Sequence, residues 1–279
     1  MPPLRALVAA GHDVRVVVTQ PDKRRGRGGA LVPSPVKIAA SELGIETTDR
    51  VDDVTGRGIE LGVVVAFGRL IKPHVLEAVP MVNLHFSLLP RWRGAAPVER
   101  AILAGDAETG VCLMQLEEGL DTGPVYACEP AAIDGEETAD ELRARLVAIG
   151  TPLLVDSLAR GLPAPAPQAG EPTYAAKIDP AELQLDWTHP AVHAHRVIRV
   201  GGAWTTFRGR RLHVTRAHLS GLIVGEPATV SLERDGVYVG CGDGQSIVLL
   251  TVKPEGRKEQ SAADWRNGAR PKPGERFGE

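Results

Sequence analysis

Residues 81–97, MVNLHFSLLPRWRGAAP, decide the fold class of this chain. Apolar and polar side chains alternate at its start, which predicts a β-strand because successive side chains of a strand point to opposite faces. One face of this strand carries three apolar side chains, Val82, Leu84 and Phe86. The other face carries the polar side chains Asn83, His85 and Ser87. The stretch therefore predicts a strand that directs an amide and an imidazole to one spot near its carboxyl end, where open α/β sheets bind ligands.

Short β-branched runs alternate with helical stretches on both sides of this strand. The apolar runs at residues 14–19 and 61–66 are typical of strands buried in a parallel sheet. Helical patterns fall at residues 4–10, 36–43, 72–78 and 136–160. Such alternation predicts an α/β fold with a doubly wound, mostly parallel sheet over residues 1–160.

The last of these helices carries its own start signal. Thr138 is followed three residues later by Glu141, which predicts a capping box. Pro152 predicts a kink, or the start of a second helix. The glycine- and proline-rich segment 21–35, PDKRRGRGGALVPSP, is predicted to be a loop.

The texture of the sequence changes after residue 160. Residues 161–172, GLPAPAPQAGEP, are rich in Pro, Ala and Gly and are predicted to be a semi-rigid linker. Short strand patterns follow at residues 212–214, 228–232, 236–240 and 246–252. They predict a small all-β domain over residues 173–279, a barrel or a sandwich.

The chain opens on a helix rather than on a strand. A parallel β-α-β unit needs a strand before that helix, so we expect the first strand of the sheet to be missing from this sequence. The hypothesis is that the true start of the protein lies upstream of Met1.

Composition bounds the class of protein. Of 279 residues, 43% are apolar and 24% are charged, which is typical of a folded globular chain and excludes a disordered one. The apolar runs are too short to span a bilayer, and no signal-peptide pattern is visible. The net charge is −3, so contact with a nucleic acid has to come from local basic patches.

Cysteine usage points to a reducing compartment. Cys112, Cys128 and Cys241 form no C-x-x-C pair and are odd in number. We therefore expect no disulfide framework, no zinc ribbon and a cytoplasmic location. Three histidines lie close together in the sequence, His189, His193 and His195, but no cysteine or carboxylate completes a ligand set, so we predict no metal.

Three polar residues are candidates for chemistry. Asn83 could donate to a developing oxyanion, and His85 could donate to it or exchange a proton near neutral pH. Asp121, in the loop LEEGLDTGPVY, could orient His85 or accept a proton. Structural roles stay open for all three, because Asn83 and His85 could satisfy backbone groups and D-T-G suits an Asx-turn.

Two motifs together carry a resemblance. N-L-H-F-S-L-L-P-x-x-R-G-A-A-P followed by G-L-D-T-G-P resembles the 10-formyltetrahydrofolate-dependent formyltransferases. The resemblance implies a Rossmann-like catalytic domain with Asn83, His85 and Asp121 as catalytic groups. It implies 10-formyltetrahydrofolate as formyl donor, without a metal. It also implies two folate-binding segments, the first with Ser87, Leu88, Leu89 and Pro90 and the second with Phe67, Gly68, Arg69 and Leu70.

Further features resemble the methionyl-tRNA formyltransferases within that family. The loop at residues 19–37 resembles the inserted loop that grips the acceptor end of tRNA, with Lys23, Arg24, Arg25 and Arg27 as its basic residues. YAAKIDPAELQLDW, from residue 174, resembles the start of their OB-like C-terminal domain. From residue 187 to 225 there are six arginines and no acidic residue. We expect Arg208, Arg210 and Arg211 to bind tRNA there.

The resemblance implies transfer of a formyl group to the amine of initiator methionyl-tRNA by a monomeric enzyme. Asn83 and His85 would stabilise the oxyanion, and Asp121 would help to remove the proton of the amine. Three alternatives stay open: a formyltransferase for another amine, a formyltetrahydrofolate hydrolase, and a tRNA-binding protein without activity. The last is supported by the absent first strand.

Overall fold

The computed structural model describes residues 2–25, 29–272 and 274–279 of the chain. These residues form two compact units. The first unit comprises Met1–Pro97, Glu108–Ala132 and Arg143–Ala176. The second comprises Val98–Ala107, Ile133–Leu142 and Lys177–Glu279. The predicted division at residues 160 and 173 remains a prediction.

Up to residue 175 the chain contains both helices and strands. In chain order they are α1 Pro2–Ala9, β1 Val17–Val18, β2 Lys23–Arg25, β3 Ala30–Val32, α2 Pro35–Glu42, β4 Thr47–Thr48, β5 Gly62–Val65, α3 Pro73–Ala78, β6 Met81–His85, β7 Arg93–Gly94, α4 Pro97–Ala104, β8 Glu108–Gln115, β9 Val125–Ala132, α5 Ala139–Ala159 and β10 Tyr174–Ala175. The rest of the chain is dominated by strands, in the order α6 Ala191–Val200, β11 Trp204–Phe207, β12 Arg210–Ser220, β13 Val230–Leu232, β14 Val237–Gly240, β15 Ser246–Pro254, β16 Gln260–Ser261 and α7 Ala262–Ala269.

A four-stranded sheet in the order β5-β6-β8-β9 forms the frame of the first unit. β5 and β6 are parallel, whereas β8 runs antiparallel to β6 and β9 antiparallel to β8. β1 and β4 form a separate parallel pair. The predicted α/β class is confirmed, and the antiparallel strands are a common addition to the edge of such sheets.

Glycines allow close packing in the first unit. A Cβ added to Gly150 of α5 would lie 2.9 Å from Cγ1 of Val111 on β8, so only glycine lets the helix approach this near. A Cβ on Gly110 of β8 would lie 2.5 Å from Cδ2 of Leu88. Leu88 therefore packs directly on the backbone of the sheet.

The capping box of α5 is present as predicted. The Glu141 carboxylate accepts from the backbone N–H and the hydroxyl of Thr138, each at 2.8 Å, and the Glu141 N–H donates to the Thr138 hydroxyl at 3.3 Å. The helix continues through Pro152 as one element. None of the described helices is long and apolar enough to cross a membrane.

An antiparallel sheet in the order β11-β12-β15-β14-β13 dominates the second unit, and β16 pairs with β15. The four predicted strands correspond to β12, β13, β14 and β15. An aromatic cluster fills its core, with ring centroids 5.1–5.9 Å apart among Trp187, Phe207, Trp265 and Phe277. The all-β character of this region is confirmed.

Two expectations about the chain are wrong. The segment predicted to be a loop contains the antiparallel hairpin β2–β3, where Lys23 pairs with Val32. Cys112 and Cys128 form a disulfide, although the sequence suggested none. They lie directly opposite each other on β8 and β9, with Cα atoms 4.1 Å apart. Strand register rather than sequence spacing brings them together.

Cys241 remains a free thiol in the second unit. It is buried, and burial raises the pKa of its thiol to about 12. The neutral thiol therefore acts as a small apolar side chain of the core.

The segment 161–172, predicted to be a linker, makes several contacts in the first unit. Ala166 pairs with Val125 through two backbone hydrogen bonds of 2.8 and 2.9 Å. The side chain of Gln168 is hydrogen-bonded to three residues of the same unit. Proline and alanine composition predicted extended backbone, but it gave no information on these partners.

Candidate functional site

Asn83 and His85 lie in the second half of β6, in the four-stranded sheet of the first unit. All five residues of the strand are buried, and only 8% of Asn83 and 5% of His85 is exposed. β5 lies parallel to it on one side, with Val64 opposite Asn83. β8 lies on the other side, with Cys112 opposite His85. Two polar side chains are thus held on a rigid strand inside an apolar setting.

Asp121 reaches the same place from the loop between β8 and β9. Its Oδ1 lies 3.5 Å from the Asn83 Nδ2, and its Oδ2 lies 3.6 Å from Nδ1 of His85. The backbone N–H of Gly94 donates to Oδ2 at 2.8 Å. The three residues singled out from the sequence therefore converge in the structure.

A backbone carbonyl fixes the orientation of the imidazole. His85 Nε2 lies 2.9 Å from the carbonyl oxygen of Trp92, which can only accept. Nε2 therefore carries the hydrogen, and Nδ1 is the atom that faces the Asp121 carboxylate. A proton on Nδ1 would complete an ion pair with Asp121 in a poorly solvated place.

Asn83 retains donor capacity. The structure gives its side-chain amide one long contact, to Asp121 at 3.5 Å, whereas the amide carries two N–H donors. A buried donor without a close partner is costly unless a ligand uses it. The arrangement can therefore supply a hydrogen bond to an oxygen atom that gains negative charge.

The first predicted folate segment follows directly after β6. Ser87 is fully buried, and its hydroxyl donates to the carbonyl of Arg91 at 2.5 Å. Leu88, Leu89 and Pro90 are partly exposed. Ser87 thus stabilises the turn through a buried hydrogen bond, and the next three residues lie at the surface of the turn.

The second predicted folate segment follows β5, the parallel neighbour of β6. Phe67 is half-buried, with the Arg69 guanidinium 5.5 Å from the centre of its ring. Arg69 also donates to the carbonyl of Asp49 at 2.7 Å. Gly68 has a positive φ of 66°, and Leu70 is 81% exposed. An exposed leucine beyond the carboxyl end of a parallel strand is available to cover an apolar ligand.

Three of the basic residues predicted to contact tRNA, Lys23, Arg24 and Arg25, lie on the β2–β3 hairpin. Lys23 and Arg24 are exposed, and Arg24 donates to the carbonyl of Gly29 at 3.2 Å. The backbone of Arg25 pairs with Ala30. Arg27, the fourth predicted residue, lies outside the described residues.

The predicted arginines of the second unit differ from one another. Arg208 forms an ion pair with Glu275 at 2.8 Å, and the hydrogen bond to Glu275 raises the pKa of its guanidinium. Arg211 stacks 3.9 Å from the ring centre of Trp204. Arg210 and Arg211 are exposed. A phosphate would compete with Glu275 for Arg208, but not for the other two.

One group of possible metal ligands occurs among the described residues. Glu136, His195 and His218 have ligand atoms within 4.8 Å of one another, so of the three histidines considered from the sequence only His195 takes part. His195 is buried, which lowers its pKa, and its Nε2 is 3.2 Å from the carbonyl of Ala217. Glu136 Oε2 is 3.4 Å from His195 Nε2 and 2.6 Å from His218 Nδ1. Hydrogen bonds account for this group, and the prediction of no metal stays a prediction.

Several residues of the site were not found by sequence reasoning. Gly94 supplies an N–H to Asp121, and its φ of 121° favours glycine. Thr173 accepts from the N–H of Trp92 at 2.9 Å through its hydroxyl and so holds the loop that carries the carbonyl partner of His85. Gln168 contacts the carbonyl of Asp121. The glycine of R-G-A-A-P was a visible signal, but the other two sit in stretches without a pattern.

Two family profiles match the chain. The profile described as Formyl transferase covers residues 4–158, and the profile described as Formyl transferase, C-terminal domain, covers residues 177–270. Together they span most of both units.

Curated relatives resemble the chain over nearly its whole length. It is 45% identical to the methionyl-tRNA formyltransferase of Roseobacter denitrificans, over 96% of this chain and 92% of the relative. It is 43% identical to the methionyl-tRNA formyltransferase of Streptomyces coelicolor, over 100% of this chain and 96% of the relative.

Solved structures share the fold. An N-formyltransferase from Helicobacter canadensis, in complex with folinic acid and dTDP-3-aminofucose, matches with a TM-score of 0.66 at 17% identity, over 88% of this chain and 93% of the other. Methionyl-tRNA formyltransferase from Clostridium thermocellum matches with a TM-score of 0.56 at 15% identity, over 85% of this chain and 100% of the other. At these identities the likeness supports the fold alone.

Proposed function

This chain belongs to the formyltransferase family, and we infer from that membership that it formylates the amino group of initiator methionyl-tRNA. The observation that carries the acceptor is the 40–45% identity to methionyl-tRNA formyltransferases over nearly the full length. The family resemblance inferred from the two motifs is confirmed. The alternatives, another amine acceptor, a hydrolase or an inactive tRNA-binding protein, are not favoured by these relatives.

The formyl donor of the family is a formyltetrahydrofolate, and the residues of the first unit fit such a molecule. The amide of Asn83 has donor capacity that suits a formyl oxygen. The partly exposed Leu88 and the exposed Leu70 suit an aromatic ring system. We propose Ser87–Pro90 and Phe67–Leu70 as its two walls. No metal is part of the proposal.

The geometry divides the chemical work among three side chains. Asn83 donates to the formyl oxygen as negative charge develops there. The Nε2–H of His85 is hydrogen-bonded to the backbone carbonyl of Trp92, so His85 does not donate it to the substrate. His85 contributes instead through the contact of its Nδ1 with the Asp121 carboxylate. Asp121 is the acceptor for the proton that the attacking amine loses, directly or through water. The methionyl amine forms the new bond to the formyl carbon, and the bond from that carbon to the folate nitrogen breaks. The folate nitrogen keeps the electron pair and takes up a proton, which balances the proton that the amine loses.

The tRNA contacts form the rest of the proposal. Lys23, Arg24, Arg25 and Arg27 would bind phosphates near the acceptor end, and Arg210 and Arg211 would bind phosphates at the second unit. Arg208 takes part only if a phosphate displaces Glu275. We propose a monomer that works in the cytoplasm. The likeness to methionyl-tRNA formyltransferases supports this location, whereas cysteine usage does not, because Cys112 and Cys128 form a disulfide.

The test is direct formation of product. The purified 279-residue chain is incubated with 10-formyltetrahydrofolate and methionine-charged initiator tRNA, and the ester is hydrolysed to look for N-formylmethionine. Product with charged tRNA, and none with free methionine, is the expected result. Formate released without an acceptor would instead identify a hydrolase, and tRNA binding without folate binding would identify an inactive binding protein.

A further inference from the structure

Gln168 connects two parts of the site from a segment whose composition suggested a linker. Its Nε2 donates to the carbonyl oxygens of Asp121 and Gly123, each at 2.8 Å. Its Oε1 accepts hydrogen bonds from Nε and Nη2 of Arg93, at 3.0 and 2.7 Å. Both ends of one partly buried amide are thus fully used.

Both partners of Gln168, Arg93 and the loop at residues 121–123, are connected to the carboxylate of Asp121. Arg93 immediately precedes Gly94, whose N–H donates to Oδ2 of Asp121. Asp121 itself has a positive φ of 49°, a conformation that a non-glycine residue keeps only when its surroundings hold it. Gln168 therefore holds the backbone of Asp121 through its N–H groups. Through its oxygen it holds Arg93, the neighbour of Gly94, which donates to the Asp121 carboxylate.

We propose that Gln168 is a positioning residue for formyl transfer, which acts by fixing the backbone of Asp121 through its two N–H bonds. The proposal rests on the proposed function, because it assigns Asp121 the role of proton acceptor. Gln168 needs no contact with either substrate for this role. Without it, the loop at residues 121–123 loses two hydrogen bonds and the carboxylate relaxes away from His85 and the reacting amine.

A small displacement of the carboxylate has a large effect on rate. Misplacing a catalytic group by 1 Å can reduce the rate about 100-fold, while substrate binding elsewhere is unchanged. We expect Gln168→Ala to lower the rate of the chemical step at least about 10-fold. The KM values for both substrates should change less than about twofold, since the side chain is not assigned to either substrate.

Glutamate separates the two halves of the amide. Gln168→Glu has nearly the same shape and keeps an acceptor for Arg93, but an ionised carboxylate cannot donate to two carbonyl oxygens. If the N–H bonds to the loop are what matters, Gln168→Glu should be as slow as Gln168→Ala. If the contact with Arg93 alone matters, Gln168→Glu should be as fast as the unchanged protein.

The experiment measures single-turnover formylation of charged tRNA with enzyme in excess, because that rate constant does not depend on the fraction of folded protein. Glu171→Ala, an exposed position of the same segment, is the matched control and should keep the unchanged rate. Slow Gln168→Ala and Gln168→Glu beside a normal Glu171→Ala would support the proposal. A normal rate in either Gln168 variant would overturn it.

Failure of this inference differs from failure of the proposed function. If the unchanged chain makes no N-formylmethionine, the proposed function fails first. If the unchanged chain makes N-formylmethionine and the Gln168 variants have the same single-turnover rate constant, only the proposed role of Gln168 is wrong. If the KM values rise while the saturated rate stays constant, Gln168 serves substrate binding and the positioning role is wrong.

Discussion

Asp121 illustrates how one side chain can be constrained from several directions. Its carboxylate accepts from Gly94, its carbonyl accepts from Gln168, and its backbone has a positive φ. Side-chain exposure is 13%. Such a residue has a fixed position before any substrate arrives, which is the condition for efficient proton transfer.

Replacing the Asp121 carboxylate tests its chemical role directly. Asp121→Asn keeps an oxygen for the N–H of Gly94 but removes the charge, so we expect turnover to fall about 100-fold or more with little change in tRNA affinity. Steady-state kinetics with charged tRNA measures this. Glu118→Gln, an exposed position in the same loop, is the control and should keep its activity.

Gly94 should tolerate no side chain. A Cβ there would lie 2.9 Å from the carbonyl oxygen of Ala175, and the φ of 121° is unfavourable for other residues. We expect Gly94→Ala to cost roughly 1–3 kcal/mol of stability and to slow turnover, because Asp121 loses a fixed donor. Denaturant unfolding and kinetics check both effects. Gly221→Ala, with open space around its Cβ, should be close to neutral.

The sequence indicated three residues of this site for a physical reason. Period-2 alternation puts Asn83 and His85 on one strand face, and a glycine-bounded loop suggested Asp121. Gln168 could not be found in this way, because its role depends on a contact 47 residues away along the chain with no local pattern. Trp92 acts through its backbone carbonyl, which side-chain identity does not reveal.

At the scale of elements, the start of α5 combines local hydrogen bonds with charge. The Glu141 carboxylate accepts two hydrogen bonds from Thr138 and pairs with Arg216. The hydrogen bonds from Thr138, first from its backbone and then from its hydroxyl, together with Arg216 lower the pKa of Glu141 to about 2. The ionised form of this carboxylate is therefore the one that stabilises the folded chain.

This shift gives stability a defined pH dependence. The pKa of Glu141 in the folded chain lies below the ordinary glutamate value of 4.5, so its contribution to stability is present above pH 4.5 and is lost as pH falls toward 2. We expect Glu141→Gln to weaken the decline in stability between about pH 5 and about pH 3. Denaturant titrations at several pH values measure this. Glu259→Gln, an exposed control, should decline like the unchanged protein.

Several elements were predictable from local side-chain patterns, and others were not. The helices α1, α2, α3 and α5 and the strands β5, β6 and β15 match their predictions. The helices α4, α6 and α7 and the strand β8 were not predicted. The expected strand at residues 14–19 is reduced to Val17–Val18, since only that part pairs with β4. The hairpin β2–β3 was missed because glycine and proline dominate the local composition.

At the scale of the whole molecule, the arginine-rich stretch is less available than its composition suggests. Six arginines lie between residues 187 and 225. Four of them are engaged by other groups of the second unit, Arg196, Arg199, Arg208 and Arg216. Arg210 and Arg211 are exposed and are the better candidates for phosphate contact.

Salt dependence should separate these arginines. Each phosphate contact contributes about one unit to the slope of log affinity against log salt. We expect Arg210→Ala and Arg211→Ala each to reduce the slope for tRNA binding by about one. Arg208→Ala should mainly lower the stability of the second unit, because it breaks the pair with Glu275. Equal slopes in all three variants would contradict this division.

The contact between Gly110 and Leu88 has a consequence for evolution. A side chain at position 110 would meet both Leu88 and the carbonyl oxygen of Glu129, each 2.5 Å from its Cβ. A smaller residue at position 88 would remove only the first of these contacts. The backbone carbonyl of Glu129 would still exclude a Cβ at position 110. Across related sequences, position 110 should therefore remain glycine even where position 88 varies, and that invariance would mark where the sheet lies beneath the proposed folate-binding segment.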